Sequence, residues 1–544
     1  MRHIPVFLLL LALPSAADAA ETVYDVVVYG GTSAGVAAAV QTARSGKSVI
    51  LIEPGQHLGG LTTGGLGATD IGNKRAIGGI AREFYGRVYR HYAQDSAWTR
   101  ETRDKYRARA GHAIDADTMW TFEPHVAETI IHALLSEAKI PVVLGQRLDL
   151  KSGVKKRGPR IVAVTMESGR RFAGRTFIDA TYEGDLMAKA GVSLAIGREA
   201  NATYGETLNG VQTLHAVSHQ FIKPVDPFVK PGDAASGLLP GIHAGGPGEE
   251  GQADRRVQAY NFRVCTTDVP ENRRDWPKPE GYDPRRYELL LRNFEAGDHR
   301  VPWNPVWMPN RKTDTNNNFA ISSDDIGMNY DYPNADYATR EKIFREHEDY
   351  QKGLFWTLAK HPRVPEAVRR QSQTLGLAKD EFTDHGNWPP QLYIREARRM
   401  LGSYVMTEHN VVGRRRAEDS IGLAAYGMDS HNTQRYVSPQ GHAINEGDVQ
   451  VHGFPPYPIS YRAIVPKRAE CTNLLVPVCL SASHIAYGSI RMEPVFMILG
   501  QSAAAAAVEA IDASADVQAI DVPRLQKRLL AAGQILQWPA TRTN

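Results

Sequence analysis

Hydrophobic positions along the chain change period several times, and each change predicts an element. Tyr24-Asp-Val-Val-Val-Tyr-Gly30 is a continuous apolar run ending on glycine. It is followed by Gly31-Thr-Ser-Ala-Gly-Val-Ala-Ala-Ala39 and, past a turn, by Ser48-Val-Ile-Leu-Ile-Glu53. These stretches read as a buried strand, a glycine turn, an Ala-rich helix and a second buried strand ending in an acid. Residues 79–94 and 124–138 read as helices. In the second of these Val126, Ile130, Ile131, Leu134 and Leu135 share one face. Pro141-Val-Val-Leu144 reads as a further parallel strand, and Leu148 to Ile178 as a small β-meander. A separate buried strand from Phe177 then returns to the sheet and ends in small and acidic residues up to Asp185.

From about 201 to 400 aromatic residues, Pro and Asn become more frequent and the α/β alternation fades. Gln258 to Cys265 reads as a strand, and helices are expected over 338–359 and 366–373. Lys312-Thr-Asp-Thr-Asn-Asn-Asn318 is either a place to hold hydroxyls or a hard cation, or an Asn-rich turn. Beyond it, Asn473 to His484 reads as a strand and polar turn. Arg491-Met-Glu-Pro494 then opens an apolar, small-residue helix, and a last helix from Asp521 stops at Gly533. The fold class expected is α/β: a Rossmann-type domain with a small β-meander and an inserted α+β substrate or cap domain. The boundaries are 21–200 for the first part, 201–400 for the insert, 401–520 for the returning part and 521–544 for the C-terminal helix and tail.

The first βαβ unit carries specific chemistry. Gly30 lets the chain leave its strand sharply, small residues at Gly31, Ser33 and Ala34 let N–H groups approach a pyrophosphate, and Gly35 lets helix and strand pack closely. The helix N-terminus adds its positive end, and Glu53 suits a bidentate grip on ribose hydroxyls. The middle glycine of G-x-G-x-x-G is replaced by Thr32, whose hydroxyl either bonds phosphate or whose bulk pushes the cofactor away. A second glycine cluster, from Gly59 and Gly60 through Gly64 to Gly67, is too dense for a helix and can wrap a ligand at backbone distance.

Composition narrows the classes. A chain of 544 residues with 42% hydrophobic content can bury a large core. With 63 basic against 60 acidic side chains it projects no broad field for nucleic acid. Residues 1–20 combine Arg2, an apolar run from Ile4 to Leu13 and Ala17-Asp-Ala19, the pattern of a cleavable secretory signal. The expectation is a periplasmic or secreted protein with no stable membrane span in its mature chain. Three cysteines, Cys265, Cys471 and Cys479, are too few for an iron–sulfur cluster on this chain alone. Cys471 and Cys479 are either a disulfide or two free thiols. No metal set is expected.

Taken together, Val26 to Gly35, Glu53 to Gly67, Phe177 to Asp185, Tyr393 to Gly402, Asp419 to His431 and Asn473 to Ser502 resemble the FAD-dependent oxidoreductase family related to the flavin subunit of heterodisulfide reductase. Members of that family are sometimes labelled xanthan lyase-like. More distantly the pattern is similar to fumarate reductase flavoproteins. The resemblance implies FAD, with Gly30, Gly31, Thr32, Ser33, Ala34 and Gly35 at the pyrophosphate, Glu53 at the adenosine ribose and Gly59, Gly60 and Gly64 along the phosphate side. It places Ala180, Thr181 and Asp185 near the ADP or ribityl portion and Glu493 to Gln501 near the ring. His484 and Arg491 fall in a stretch comparable to the substrate-handling histidine and arginine of fumarate reductases.

The expected activity is hydride transfer from a small polar, carbohydrate-type substrate to flavin N5, with an electron acceptor that the sequence does not specify. His484 is the first choice for acid/base work, with a core role as the alternative, and Arg491 orients the substrate. Arg398, Arg399 and His431 stand second, in a segment that reads equally as an active-site wall or as a structural ion network. A polysaccharide lyase with structural FAD and a flavin electron-transfer module are the other classes consistent with these residues.

Overall fold

The first apolar run becomes β1 (Val23–Tyr29), the centre of a seven-stranded sheet. The computed structural model describes residues 22–539, so the signal segment expected at 1–20 lies outside the described residues. After β1 come α1 (Ser33–Arg44) and β2 (Val49–Ile52). α2 (Gly79–Tyr92), α3 (Arg103–Ala110) and α4 (Pro124–Glu137) precede β3 (Val142–Val143). The meander is β4 (Val154–Arg157), β5 (Arg160–Thr165) and β6 (Arg171–Asp179). The sheet order is β3-β2-β1-β6-β5-β4, with a short strand at Leu474–Leu475 also pairing with β6. β1 is parallel to both β2 and β6, with Val28 opposite Leu51 on one side and Ile178 on the other.

β1 is buried on both faces, which is why its sequence is continuous rather than alternating. Val26 and Val28 pack with α1 and the late helix Glu493–Asp512, whereas Val27 and Tyr29 pack with Ile161, Phe172 and Phe177 of the meander. The sequence reading split 172–185 into a meander strand and a separate returning strand. They are one strand, β6, because no turn interrupts it. Gly174 lies inside it against the Val27 side chain. β6 is antiparallel to β5 along its first half and parallel to β1 throughout.

A second, antiparallel sheet of five strands is built from residues 264–378, in the order 273–274, 376–378, 264–267, 312–317 and 303–307. The polar run at Lys312 is therefore an inner strand, not a turn. Lys312, Thr313, Asp314 and Thr315 are buried, and Thr266 Oγ1 bonds Thr313 at 2.5 Å and Thr315 at 3.1 Å across the pair. Hydroxyls satisfied by one another replace apolar side chains here. Helix Tyr337–Lys360 also forms, close to its expected limits. Residues 420–460 add three small hairpin-like pairs, among them Met428–Ser430 with Val449–Val451.

The Glu493–Asp512 helix is long and apolar enough to cross a bilayer, with mean hydropathy 1.5, yet its whole apolar window is buried. It lies across α1 so closely that a Cβ on Gly500 would run into the Ala34 backbone. Its polar residues are held inside the fold: Ser502 donates to Ile421 O, and Glu509 pairs with Arg524 and Arg528.

Candidate active site

The strand ends of the large sheet gather the residues expected to hold a dinucleotide. Gly30 turns out of β1 at φ +102, where a side chain would meet the Ala180–Thr181 backbone at 2.7 Å. A Cβ on Gly35 would collide with the Gly30 carbonyl oxygen. Turn and helix thus approach to backbone contact, and α1 presents its N–H groups and positive end at the strand edge. Gly31 N donates to Glu53 Oε2 and Gly55 N to Oε1, both at 2.6 Å. Each carboxylate oxygen keeps a lone pair for one of two vicinal hydroxyls, which is what a ribose requires. Burial pushes the Glu53 carboxyl up to about 7, against these two donors. The glycine loop lies directly on the turn, with Gly59 N donating to Gly31 O at 2.7 Å and Gly64 N to Gly60 O at 2.9 Å.

The hydroxyls of the turn face inward. Thr32 donates to Ala180 O at 2.7 Å and accepts from Gly35 N at 3.3 Å, so it caps α1 and ties it to the end of β6. Neither alternative stated for Thr32 describes this. Ser33 and Thr62 donate to Glu493 Oε2 at 2.6 and 2.8 Å, and Tyr182 OH to Oε1 at 2.7 Å. Glu493 is thereby a buried knot joining the turn, the glycine loop, β6 and the late helix. Backbone N–H groups rather than these hydroxyls are left for a phosphate. Ala180 N is itself spent on Tyr29 O at 2.7 Å, and Thr181 Oγ1 donates to Asp179 at 2.7 Å.

Two expected cofactor residues are held by protein partners, Asp185 on the wall of a cavity beside this edge and Gln501 between helices. Asp185 is buried between Arg340, at 2.6 and 2.9 Å, and Arg398, at 2.6 Å. Burial raises its carboxyl, but those guanidiniums hold it below the usual range. Gln501 lies about two turns into its helix. There it donates to Gln41 at 2.9 Å and accepts from Ile80 N and Gln534, also at 2.9 Å. It packs helices together rather than facing a ring. A cavity of about 330 Å³ opens beside this edge, between the Pro54–His57 loop and helix Tyr337–Lys360, with Thr181 on its wall.

A smaller cavity, about 160 Å³, is lined by Asp70, Arg263, Asn317, Tyr393, Asp429 and His431 among others. The glycine loop runs on to Asp70, and Arg491 precedes the Glu493 helix start by two residues. His431 Nδ1 sits 2.8 Å from Asp324 Oδ2 and its Nε2 3.8 Å from Asp429 Oδ2. Burial, with Arg395 adding to it, pushes the imidazole below its ordinary value against the pull of Asp324. Arg395 pairs in turn with Asp324 Oδ1 at 2.9 Å. Arg491 Nη1 donates to Tyr393 OH at 2.7 Å and Nη2 to Asp429 O at 3.0 Å. Arg263 Nη1, Arg395 Nε and Arg491 Nε are buried without a hydrogen-bond partner.

His484, the first choice for acid/base work, is placed differently. Its Nδ1 lies 2.7 Å from Glu396 Oε2 and its Nε2 2.9 Å from Ser430 Oγ, and the residue is 2% exposed. Both ring nitrogens are spent on protein partners, so it is a strut. Against burial, which raises it, His484 and Arg399 hold the Glu396 carboxyl down to about 2. Arg399 also bonds Glu199 at 2.6 Å, and Arg398 bonds Glu183 O at 3.1 Å. The Arg398 and Arg399 segment is the ion network of the two readings. Of the five catalytic candidates, His431 lines the small cavity and Arg491 stands behind its wall, bonded to Tyr393 and Asp429.

Asp70, Asp324, Arg263, Tyr393 and Asp429 were not singled out from the sequence. One signal was present: Arg263 is a charge inside an apolar, strand-like run. The others come from distant segments with no shared spacing. Among the described residues, Glu123, His125 and Glu381 approach as metal ligands do. Lys312 Nζ stands among these carboxylates, 2.9 Å from Glu123 and 2.5 Å from Glu381, so an ammonium already supplies the positive charge. Cys265, Cys471 and Cys479 are buried free thiols.

Solved structures resemble parts of this chain. They include a flavin monooxygenase from Stenotrophomonas maltophilia at 17% identity over 29% of this chain and 37% of that one, with TM-score 0.18. An L-amino acid deaminase from Proteus vulgaris matches at 15% over 34% and 54%, TM-score 0.24. L-proline dehydrogenase from P. horikoshii matches at 14% over 33% and 59%, TM-score 0.23. The chain thus covers less than two thirds of each, and at these TM-scores the assignment rests on the family match. No curated protein matches. Residues 25–529 match the FAD dependent oxidoreductase family, in accord with the glycine turn, the Glu53 grip and the glycine loop, so the chain belongs to that family and is an enzyme that uses FAD.

Proposed function

We propose that the protein is an exported oxidoreductase that oxidises a small polar, carbohydrate-type substrate in the cavity at His431. The observation that carries this reading is the convergence there of a carboxylate-backed histidine, a guanidinium–tyrosine pair and the end of the cofactor-side glycine loop. FAD, when bound, supplies the two-electron acceptor for a substrate C–H bond. Glu53 and the Gly30–Gly35 turn would hold it, and the chain from Gly59 to Asp70 runs from that turn to the cavity lining.

His431 takes the O–H or N–H proton that leaves as the C–H bond breaks. Asp324 holds Nδ1, which leaves Nε2 as the acceptor, and the lowered pKa keeps the ring neutral and able to accept at neutral pH. Asp324, shared with Arg395, then stabilises the imidazolium through Nδ1. Arg491 and Tyr393 orient the reacting oxygen. Asn316 and Asn317, on the five-stranded sheet, and Asn318 just past it line the cavity, which supports reading residues 201–400 as an inserted substrate domain. The sequence segments already named support membership in the heterodisulfide reductase-related subgroup. The basic, apolar and small-residue pattern of residues 1–20 supports export to the periplasm or beyond. The electron acceptor is oxygen, a quinone or a protein.

Purified protein mixed anaerobically with neutral sugars, uronates and amines tests the reading. Loss of the flavin band at about 450 nm with one compound class is the expected result. A colourless protein that cleaves polysaccharide overturns it. His431→Asn should retain its flavin but slow that reduction by about 10²- to 10⁴-fold. N-terminal sequencing of exported protein should begin at Ala20.

A further inference from the structure

The lining of the small cavity also restricts the charge of what enters it. Arg263 is the guanidinium of the lining, Arg395 and Arg491 stand behind it against Tyr393, and each has a carboxylate nearby. Arg263 is gripped bidentately by Asp314 at 2.8 Å, Arg395 pairs with Asp324 at 2.9 Å, and Arg491 lies 3.6 Å from Asp429. Asp70 has no hydrogen bond or ion pair among the described residues, and burial pushes its carboxyl up against the more distant pull of Arg263 and Arg491. No guanidinium is therefore spare for an anionic ligand, while one carboxylate has no partner of its own. The remaining capacity belongs to groups that recognise hydroxyls. Arg263 is 2% exposed, and its Nη1 has no partner. Asn316 and Asn317 accept through Oδ1 from Asn261 and Arg395, which leaves their amide N–H groups free to donate. Tyr393 and Tyr426 add aromatic carbon to the lining.

We infer that this cavity selects an uncharged, hydroxyl-rich substrate, a neutral sugar or sugar alcohol, and that Asp70 rejects its carboxylate-bearing analogues. The inference rests on the reading of this cavity as the substrate site. A hydroxyl can donate to Asp70 and accept from Arg263 Nη1 or an Asn amide in one pose, whereas a uronate places like charge against Asp70 in a poorly solvated space.

Binding of glucose, galactose and mannose, each paired with its uronate, to the flavin-loaded protein is measured by titration calorimetry or ligand-observed NMR, together with anaerobic flavin reduction. At least one neutral sugar should bind about tenfold or more tightly than its uronate. Asp70→Asn should narrow that ratio by about tenfold through a gain in uronate binding. Equal or tighter uronate binding, no binding by any neutral sugar, or an unchanged ratio in Asp70→Asn overturns the inference. Should that variant not retain its flavin, the wild-type ratio decides alone. Neutral sugar that binds with the expected selectivity but leaves the flavin oxidised would instead defeat the redox reading and spare the selectivity.

Discussion

His431 and His484 each present Nδ1 to a buried carboxylate, at 2.8 and 2.7 Å, and they differ at Nε2. Ser430 closes off the ring of His484, whereas that of His431 meets a cavity. Replacing His484 by alanine should therefore cost stability, on the order of 3 kcal/mol in denaturant unfolding, because Glu396 loses a partner inside the protein. A hundredfold loss of turnover at unchanged stability would return His484 to the chemistry. Glu53 makes a second residue-level prediction. Its carboxyl is raised from the ordinary value of 4.5 to about 7 in the fold, so the folded apoprotein binds more protons than the unfolded chain in that window. Apoprotein stability should fall as pH rises from 4.5 to 7, by at most about 3 kcal/mol from this group, and Glu53→Gln should flatten that slope in unfolding curves.

At the scale of elements, the cofactor edge depends on how closely α1 can be approached. One neighbour is its own turn, through Gly35, and the other is helix Glu493–Asp512, through Gly500. Both contacts are backbone on backbone, so an added side chain has nothing flexible to displace. Gly35→Val should abolish flavin retention, and a fully yellow variant would show the phosphate turn to lie elsewhere. Gly500→Leu should cost about 1–3 kcal/mol or more in a melt, with loss of flavin, since it pushes the helix that anchors Glu493 away from Ser33. The same helix shows why apolar length alone misleads. It is apolar because it is enclosed by protein.

Across the whole molecule, buried ion networks join the large sheet to the segments that build the small cavity. Glu396 is the clearest member, held down to about 2 by His484 and Arg399 against burial. A depressed carboxyl contributes stability that is present above pH 4.5 and is lost as pH falls toward 2. Acid unfolding of the holoprotein should therefore span that range and release flavin with it, as followed by fluorescence of the freed cofactor. The sequence by itself determined the βαβ unit, the glycine loop and most of the long helices, and its resemblance to a flavoprotein family gave FAD. Those signals are local: strand runs, helical periodicity, and glycines at spacings that only close backbone approach explains. Tertiary structure decided which histidine meets a cavity, that Arg398, Arg399 and Asp185 belong to an ion network, and that the Lys312–Asn317 run is a strand. Each of these depends on partners tens to hundreds of residues away, such as Asp324 for His431, Arg340 for Asp185 and Thr266 for Thr313. No spacing along the chain encodes which polar group will stand opposite another once the sheets have closed.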